Sequence, residues 1–173
     1  QTAAPTIARF PGVPVEVWPI EEFTYLQPAR WNGTRSAERM PHLERYWREA
    51  DPDYCDGEGA ESFSTLLRRC EAALTRLAAM PAGSLAYVFG HGQFIQAARA
   101  IVADAHLDDQ AKMRAFWRKG EPPAISNAQR VGFRWHGRRW ECAQAIGRRH
   151  HQHVAGIERA DRALELGPLG RRA

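Results

Sequence analysis

His91 is the residue whose neighbours in the sequence most clearly suggest chemistry. It stands between two glycines, after the apolar run SLAYVF and before FIQAARAIV, in which apolar residues recur at helical spacing. In open α/β sheets, ligands bind beyond the carboxyl ends of the strands, where the next helix offers N–H groups to an anion. A protonated histidine adds a positive charge there. The turn of His91, Gly92 and Gln93 therefore predicts a phosphate pocket, with an ordinary strand-to-helix turn as the alternative.

A pair of carboxylates, Glu21 and Glu22, follows another candidate strand, VPVEVWPI. Phosphoryl transfer has a loose transition state, so catalysis consists mainly of charge stabilisation and of a proton delivered to the leaving oxygen. A carboxyl group beyond the end of a strand could supply that proton. The alternative is that both side chains are solvated carboxylates.

The histidines at 136 and near the C-terminus are not predicted to form a second catalytic or metal centre. Alternating residues on both sides of His136-Gly137 predict a hairpin with a two-residue turn, which places His136 in solvent. The register expected of that turn pairs Phe133 with Trp140 and Val131 with Cys142. Near the C-terminus, His150, His151 and His153 lack Cys, Asp or Glu at ligand spacing, so no metal site is predicted.

The elements that must position these residues alternate between strand and helix. A turn-rich segment at 23–39 interrupts the alternation and reads as an inserted loop. Strands are predicted at 13–17 and 84–89, and helices at the N-terminus, from Pro41 to Trp47, from Phe63 to Leu77, at 94–102 and from Asp108 to Trp117. Such alternation is typical of an α/β fold.

Four motifs in this order resemble the histidine phosphatase (phosphoglycerate mutase-like) superfamily. They are QTA at the start, EEFTYL, GAESF with Arg69 eight residues after Glu61, and VFGHGQF. The resemblance covers nearly everything from Gln1 to about Ala143. It implies a three-layer α/β/α domain with a mainly parallel sheet over residues 1–143, and phosphoryl transfer to an enzyme histidine. The remainder, 144–173, is expected to be a basic helical or disordered tail.

The resemblance assigns roles to residues of this sequence. His91 matches the second histidine of the family's phosphate pocket, and Glu22 matches the acid after the second strand, because the family pattern of an apolar residue, any residue and Glu fits Ile20-Glu21-Glu22. Glu61 and Arg69 are expected to be structural.

The segment after Glu22 determines what the resemblance implies about substrate. Trp31, Asn32, Gly33 and Thr34 lie where the family builds its variable substrate loop, which makes them candidates for substrate binding. The sequence there is FTYLQPARWNGT and lacks the Gly-x-Trp-Glu-Gly pattern of mutases that act on phosphoglycerate. A phosphatase-like member is therefore favoured over a mutase.

The family's nucleophile is a histidine in an Arg-His-Gly motif at the end of the first strand, followed by a second phosphate-binding Arg shortly before QTA. Both positions would fall upstream of Gln1. The expectation is a chain that lacks the first central strand and has no turnover alone. A catalytically dead phosphate-binding or regulatory pseudophosphatase is the alternative.

Composition adds little to these expectations. The 24 basic and 20 acidic residues give a net charge of +4, a weak excess that predicts no nucleic-acid partner. A phosphorylated small molecule or phosphoprotein is the expected ligand, without a cofactor. Three widely spaced cysteines predict no disulfides and favour the cytoplasm, and no apolar run approaches the roughly 20 residues that span a membrane. The sequence leaves the specific substrate and the oligomeric state open.

Overall fold

The computed structural model describes residues 2–117 and 125–143, which form helices and one small sheet. The helices are α1 (Ala4–Arg9), α2 (Pro28–Trp31), α3 (Ser36–Glu49), α4 (Phe63–Ala78), α5 (Gly92–Ala103) and α6 (Asp109–Phe116). The strands are β1 (Gly132–Trp135) and β2 (Trp140–Ala143). The predicted tail, 144–173, lies outside the described residues. No helix within the described ranges is long and apolar enough to cross a membrane.

Helix α4 forms the centre of the core. Its first turn is capped by Ser62, whose hydroxyl accepts a hydrogen bond from the Thr65 N–H at 3.2 Å. The apolar residues of one face are buried against α5 and α6; they include Phe63, Leu66, Leu67, Cys70 and Leu74. The prediction of a long amphipathic helix here is confirmed, because its apolar spacing matches the helical period.

An aromatic cluster attaches the segment after Glu22 to this core. Phe23 is buried and packs against Trp47 and Phe63, with ring centroids 6.5 and 6.1 Å apart. Trp47 also stacks on Trp117 at 4.7 Å. Edge-to-face and offset contacts of this kind stabilise aromatic pairs beyond their area alone. Glu22 is therefore the last residue before a segment that is anchored in the core by Phe23.

The segment 23–39 contains more helix than its turn-forming residues predict. Helix α3 begins at Ser36 and includes Pro41, which was expected to be its first residue. Arg39 explains the earlier start, since its guanidinium donates to the carbonyl oxygen and to the hydroxyl of Thr34 and fixes the chain ahead of the helix. Helix α2 was not predicted; it begins at Pro28, a residue preorganised for a first helical position.

The hairpin exists, but the predicted register is wrong by two residues. Phe133 pairs with Cys142 and Trp135 with Trp140. The His136 N–H donates to the Arg139 carbonyl at 3.0 Å, so the two turn residues are Gly137 and Arg138. Gly137 has a φ of +80°, which a glycine adopts without steric cost, and this preference moves the turn one position along the chain.

The segments 13–17 and 84–89 are not paired strands in the structure, so the described residues do not form the expected three-layer arrangement with a parallel sheet. Their apolar side chains are exposed: Val17 by 96%, Leu85 by 78% and Tyr87 by 62%. A strand depends on a neighbour for its backbone hydrogen bonds, and the described residues provide none here. The alternating residues at 13–17 and the apolar run at 84–89 predict strand character without supplying a partner.

Candidate functional site

Glu22 and the His91 turn meet at the N-terminus of α5. One carboxylate oxygen of Glu22, Oε1, accepts hydrogen bonds from the Gln93 and Phe23 N–H groups, each at 3.1 Å. Glu22 and Gln93 are 71 residues apart in the chain, so this contact depends on the tertiary fold. His91 is the N-cap residue of α5, but its side chain makes no capping bond. The carboxylate of Glu22 therefore satisfies a free N–H group of the first turn.

The His91 imidazole is available to a ligand. The residue is exposed, and its ring forms no capping hydrogen bond with α5. The preceding Gly90 lies beside Ile20, since a Cβ at position 90 would be in van der Waals contact with the Ile20 Cδ1 atom at 3.8 Å. The structure thus brings the ends of the two candidate strand segments together, with Glu22 and His91 just beyond them.

Arg69 holds the chain immediately before Glu22. It forms two hydrogen bonds with Glu61, Nε to Oε2 at 3.0 Å and Nη2 to Oε1 at 2.5 Å. Its Nη1 donates to the Pro19 carbonyl at 2.8 Å. The same guanidinium lies 3.6 Å from the Glu21 carboxylate. The two neighbouring glutamates therefore have different partners: Glu21 faces Arg69, whereas Glu22 faces the His91 turn.

Asp56 fixes the loop that contains the predicted substrate residues. Its Oδ2 accepts from the Gln27 N–H and from the Trp31 indole, both at 2.9 Å, and its Oδ1 accepts from the Tyr54 hydroxyl at 3.0 Å. Burial disfavours the charged form, but these hydrogen bonds outweigh burial and hold the pKa of the Asp56 carboxyl below its usual range. Trp31 is buried, so most of its surface contacts protein.

Trp31, Asn32 and Gly33 border an open cavity of about 450 Å³. Thr34 stands behind them: its hydroxyl donates to the Trp31 carbonyl at 2.7 Å and accepts from Arg39. Sequence reasoning missed two further residues of this cavity, Tyr25 and Arg39. Tyr25 could have been found from its position three residues beyond Glu22. Nothing in the sequence indicated Arg39, because α3 was not expected to begin as early as Ser36.

Tyr25 connects the cavity with the His91 turn. Burial raises the pKa of Tyr25, and the nearby Gln93 side chain and Arg39 guanidinium counteract part of that effect. Its ring packs 5.1 Å from that of Phe23, the residue next to Glu22. The cavity and the Glu22–Gln93 contact are therefore neighbouring parts of one region.

The remaining histidines lie elsewhere or outside the described residues. His136 Nε2 is 2.9 Å from the Glu141 carboxylate across the hairpin, and His42 packs against the Trp31 ring at 4.4 Å. The tail histidines, His150, His151 and His153, fall in the part that is not described. Within residues 2–117 and 125–143, no group of three or more His, Cys, Asp or Glu side chains could hold a metal ion.

A comparison with protein-family models identifies a family for most of the chain. The family model described as histidine phosphatase superfamily (branch 1) matches residues 1–144. No curated protein and no solved structure matches the chain.

Proposed function

The chain belongs to the histidine phosphatase superfamily, whose fold is α/β, and we propose that it contributes the Glu22 and His91 side of a phosphomonoesterase site. The 3.1 Å hydrogen bond from the Gln93 N–H to Glu22 carries this proposal. It joins an acid and a histidine-containing turn that are distant in sequence. The ligand is a phosphorylated small molecule or phosphoprotein.

His91, Gly92 and Gln93 bind the phosphoryl group in this proposal. The Gln93 N–H donates to Glu22, so the donors to the anion are the Gly92 N–H at the N-terminus of α5, the side-chain amide of Gln93 and protonated His91, which supplies a full positive charge. These donors stabilise negative charge on the phosphoryl oxygens as the bond to the leaving group breaks. Trp31, Asn32 and Thr34 belong to the loop that contacts or supports the rest of the substrate.

Glu22 is proposed to move the protons. It donates a proton to the leaving oxygen when the phosphoryl group passes to a nucleophilic histidine. In the second step it accepts a proton from the water that attacks phosphorus, as the phosphorus–nitrogen bond of the phosphohistidine breaks. Its place beside the Gln93 N–H is next to the bound anion, where both transfers occur.

The nucleophile itself is proposed to lie outside this chain, because the 173 residues contain no Arg-His-Gly motif. We also propose that 13–17 and 84–89 are strands of the family's three-layer parallel sheet, completed by the strand that carries the nucleophile. Two observations support this arrangement: the two segments have exposed apolar side chains, and they converge at Ile20 and Gly90. The chain alone is accordingly expected to bind phosphate without turnover.

Titration with inorganic phosphate, followed by calorimetry, tests the site. His91→Ala should weaken binding about 10- to 100-fold, because a hydrogen bond to a charged group contributes roughly 1.5–3 kcal/mol. The control is His106→Ala, which removes an exposed histidine beyond α5 and should leave the affinity unchanged. Equal affinities for the two variants would refute the site. Hydrolysis of p-nitrophenyl phosphate that survives His91→Ala would refute it as well.

A phosphate-binding pseudophosphatase is the second candidate, and it is equally compatible with the absence of an Arg-His-Gly motif from these residues. Reading the coding sequence upstream of the Gln1 codon separates the two candidates. An in-frame Arg-His-Gly after an apolar strand supports the enzyme, and a coding sequence without it supports the pseudophosphatase.

A further inference from the structure

The cavity beside Tyr25 is lined by residues that follow the proposed catalytic residue Glu22 in the chain. Its wall includes Phe23, Thr24, Tyr25 and Leu26, which directly follow Glu22 in the chain. At about 450 Å³ it falls within the range of small-molecule sites. Because Phe23 and Tyr25 also lie next to the Glu22–Gln93 contact, the cavity is a candidate place for the rest of a substrate whose phosphoryl group lies at the His91 turn.

The chemistry of the wall restricts what can bind. Six of the lining residues are apolar or aromatic: Phe23, Tyr25, Leu26, Pro28, Trp31 and Leu43. None of the lining residues is an Asp or Glu, and one is a cation, Arg39. Such a wall favours a flat, largely apolar group and gives an ammonium group no carboxylate to pair with.

Arg39 is half-buried and has unused donors. Its Nη1 donates to Thr34, and its Nη2 reaches the Ser36 hydroxyl at 3.5 Å. No carboxylate lies within 4 Å of its guanidinium in the part of the chain that the structure describes. Arg39 and Tyr25 both line the cavity, and the positive charge of Arg39 opposes the rise that burial causes in the pKa of Tyr25. A half-buried guanidinium in an apolar cavity attracts an anion, because arginine binds carboxylate and phosphate groups in a fixed geometry.

We propose that this cavity binds the alcohol part of the substrate, and that this alcohol is flat and largely apolar with one anionic group, which Arg39 binds. An aromatic alcohol that bears a carboxylate has this chemistry. The proposal rests on the phosphatase function proposed above, which places the phosphoryl group at the His91 turn.

Two alcohols with the same ring test the charge preference by calorimetry on the unmodified chain. 4-Hydroxyphenylacetate carries the expected anion, whereas tyramine carries an ammonium group in its place. The carboxylate should bind at least about tenfold more tightly, because it gains a charge-assisted hydrogen bond. Equal affinities, or tighter binding of tyramine, would overturn the proposal.

Three variants assign the preference to Arg39. Arg39→Gln should remove the difference between the two alcohols, and Arg39→Lys should retain part of it because the charge remains. Arg48→Gln, an exposed position on the same helix, is the matched control and should change neither affinity. An undiminished preference for 4-hydroxyphenylacetate in Arg39→Gln would contradict the proposal. If Arg39→Lys retains part of the preference, the loss in Arg39→Gln is due to the missing charge and not only to the altered contact with Thr34.

The result for the cavity can be distinguished from the result for the phosphate site. His91→Ala should weaken inorganic phosphate but leave 4-hydroxyphenylacetate unaffected, since the two ligands occupy different places. If phosphate fails to bind while the Arg39-dependent preference holds, the catalytic proposal fails and the cavity retains its ligand class. If phosphate binds at His91 and the alcohols show no preference, only the proposal for the cavity fails.

Discussion

Asp56 holds together three parts of the loop that follows Glu22. Its two oxygens accept from a backbone N–H, an indole and a phenol, and one residue thereby fixes both the start of α2 and the position of Trp31. A carboxylate with several donors stabilises its ionised form. The loop is therefore sensitive to protonation of a residue that need not touch substrate.

Asp56→Ala should destabilise the protein by about 1–3 kcal/mol at pH 7, because three donors lose their acceptor. Because folding lowers the pKa of this carboxyl, its contribution is present above the unfolded pKa of about 3.9 and is lost as the pH falls through the lower folded value. Urea unfolding of both proteins between pH 7 and pH 3 measures this. A difference in stability that grew toward low pH would contradict it.

Loss of the Arg69 side chain should also destabilise the protein, because several groups depend on it for their partners. Arg69→Ala leaves the Glu61 carboxylate half-buried without its partner and frees the Pro19 carbonyl, so a cost of about 2–3 kcal/mol is expected. Arg68→Ala, at the exposed neighbouring position, should cost less than about 0.5 kcal/mol. Thermal unfolding of the two variants provides the comparison, and similar midpoints would show that the ion pair contributes little.

At the scale of elements, helices were predicted better than strands. Periodic apolar residues and caps such as Ser62 and Asp108 are local signals, and α4 and α6 follow them. A strand requires a partner that the local sequence does not describe, and 84–89 has none among the described residues. The same reason limits the site: the glycines beside His91 predicted its turn, whereas the Glu22–Gln93 contact needed the fold, and the family resemblance indicated Glu22.

The hairpin offers a test of an element whose turn was misplaced. Gly137→Ala should destabilise the protein by about 1 kcal/mol, because alanine is strained at a φ of +80°. Gly12→Ala serves as control, since a Cβ there meets no atom within 4 Å and its φ is not positive. Denaturant unfolding compares the two. If Gly12→Ala is the more damaging change, the assigned turn is wrong.

Considered as a whole molecule, the described chain combines a well-packed helical core with exposed apolar segments. Helices α4, α5 and α6 share one core with the aromatic cluster around Trp47. Val13, Val15 and Val17 and the residues 84–89 are exposed, although their composition is that of buried strands. The apolar residues of these segments led to the prediction of buried strands, and the periodic apolar residues led to the prediction of the helical core. Composition alone does not determine what covers a strand.

The exposure of 84–89 also determines where the native chain is open to proteases. An endopeptidase must draw an extended segment of substrate into its cleft, and chain without regular hydrogen bonds can be drawn in without unfolding the core. Chymotrypsin should therefore cut after Tyr87 or Phe89 before it cuts after the buried Phe63 or Phe94. Mass spectrometry of the first fragments detects the order. Such a cut falls between α4 and the turn of His91, so a single scission would separate Glu22 and His91 into different fragments.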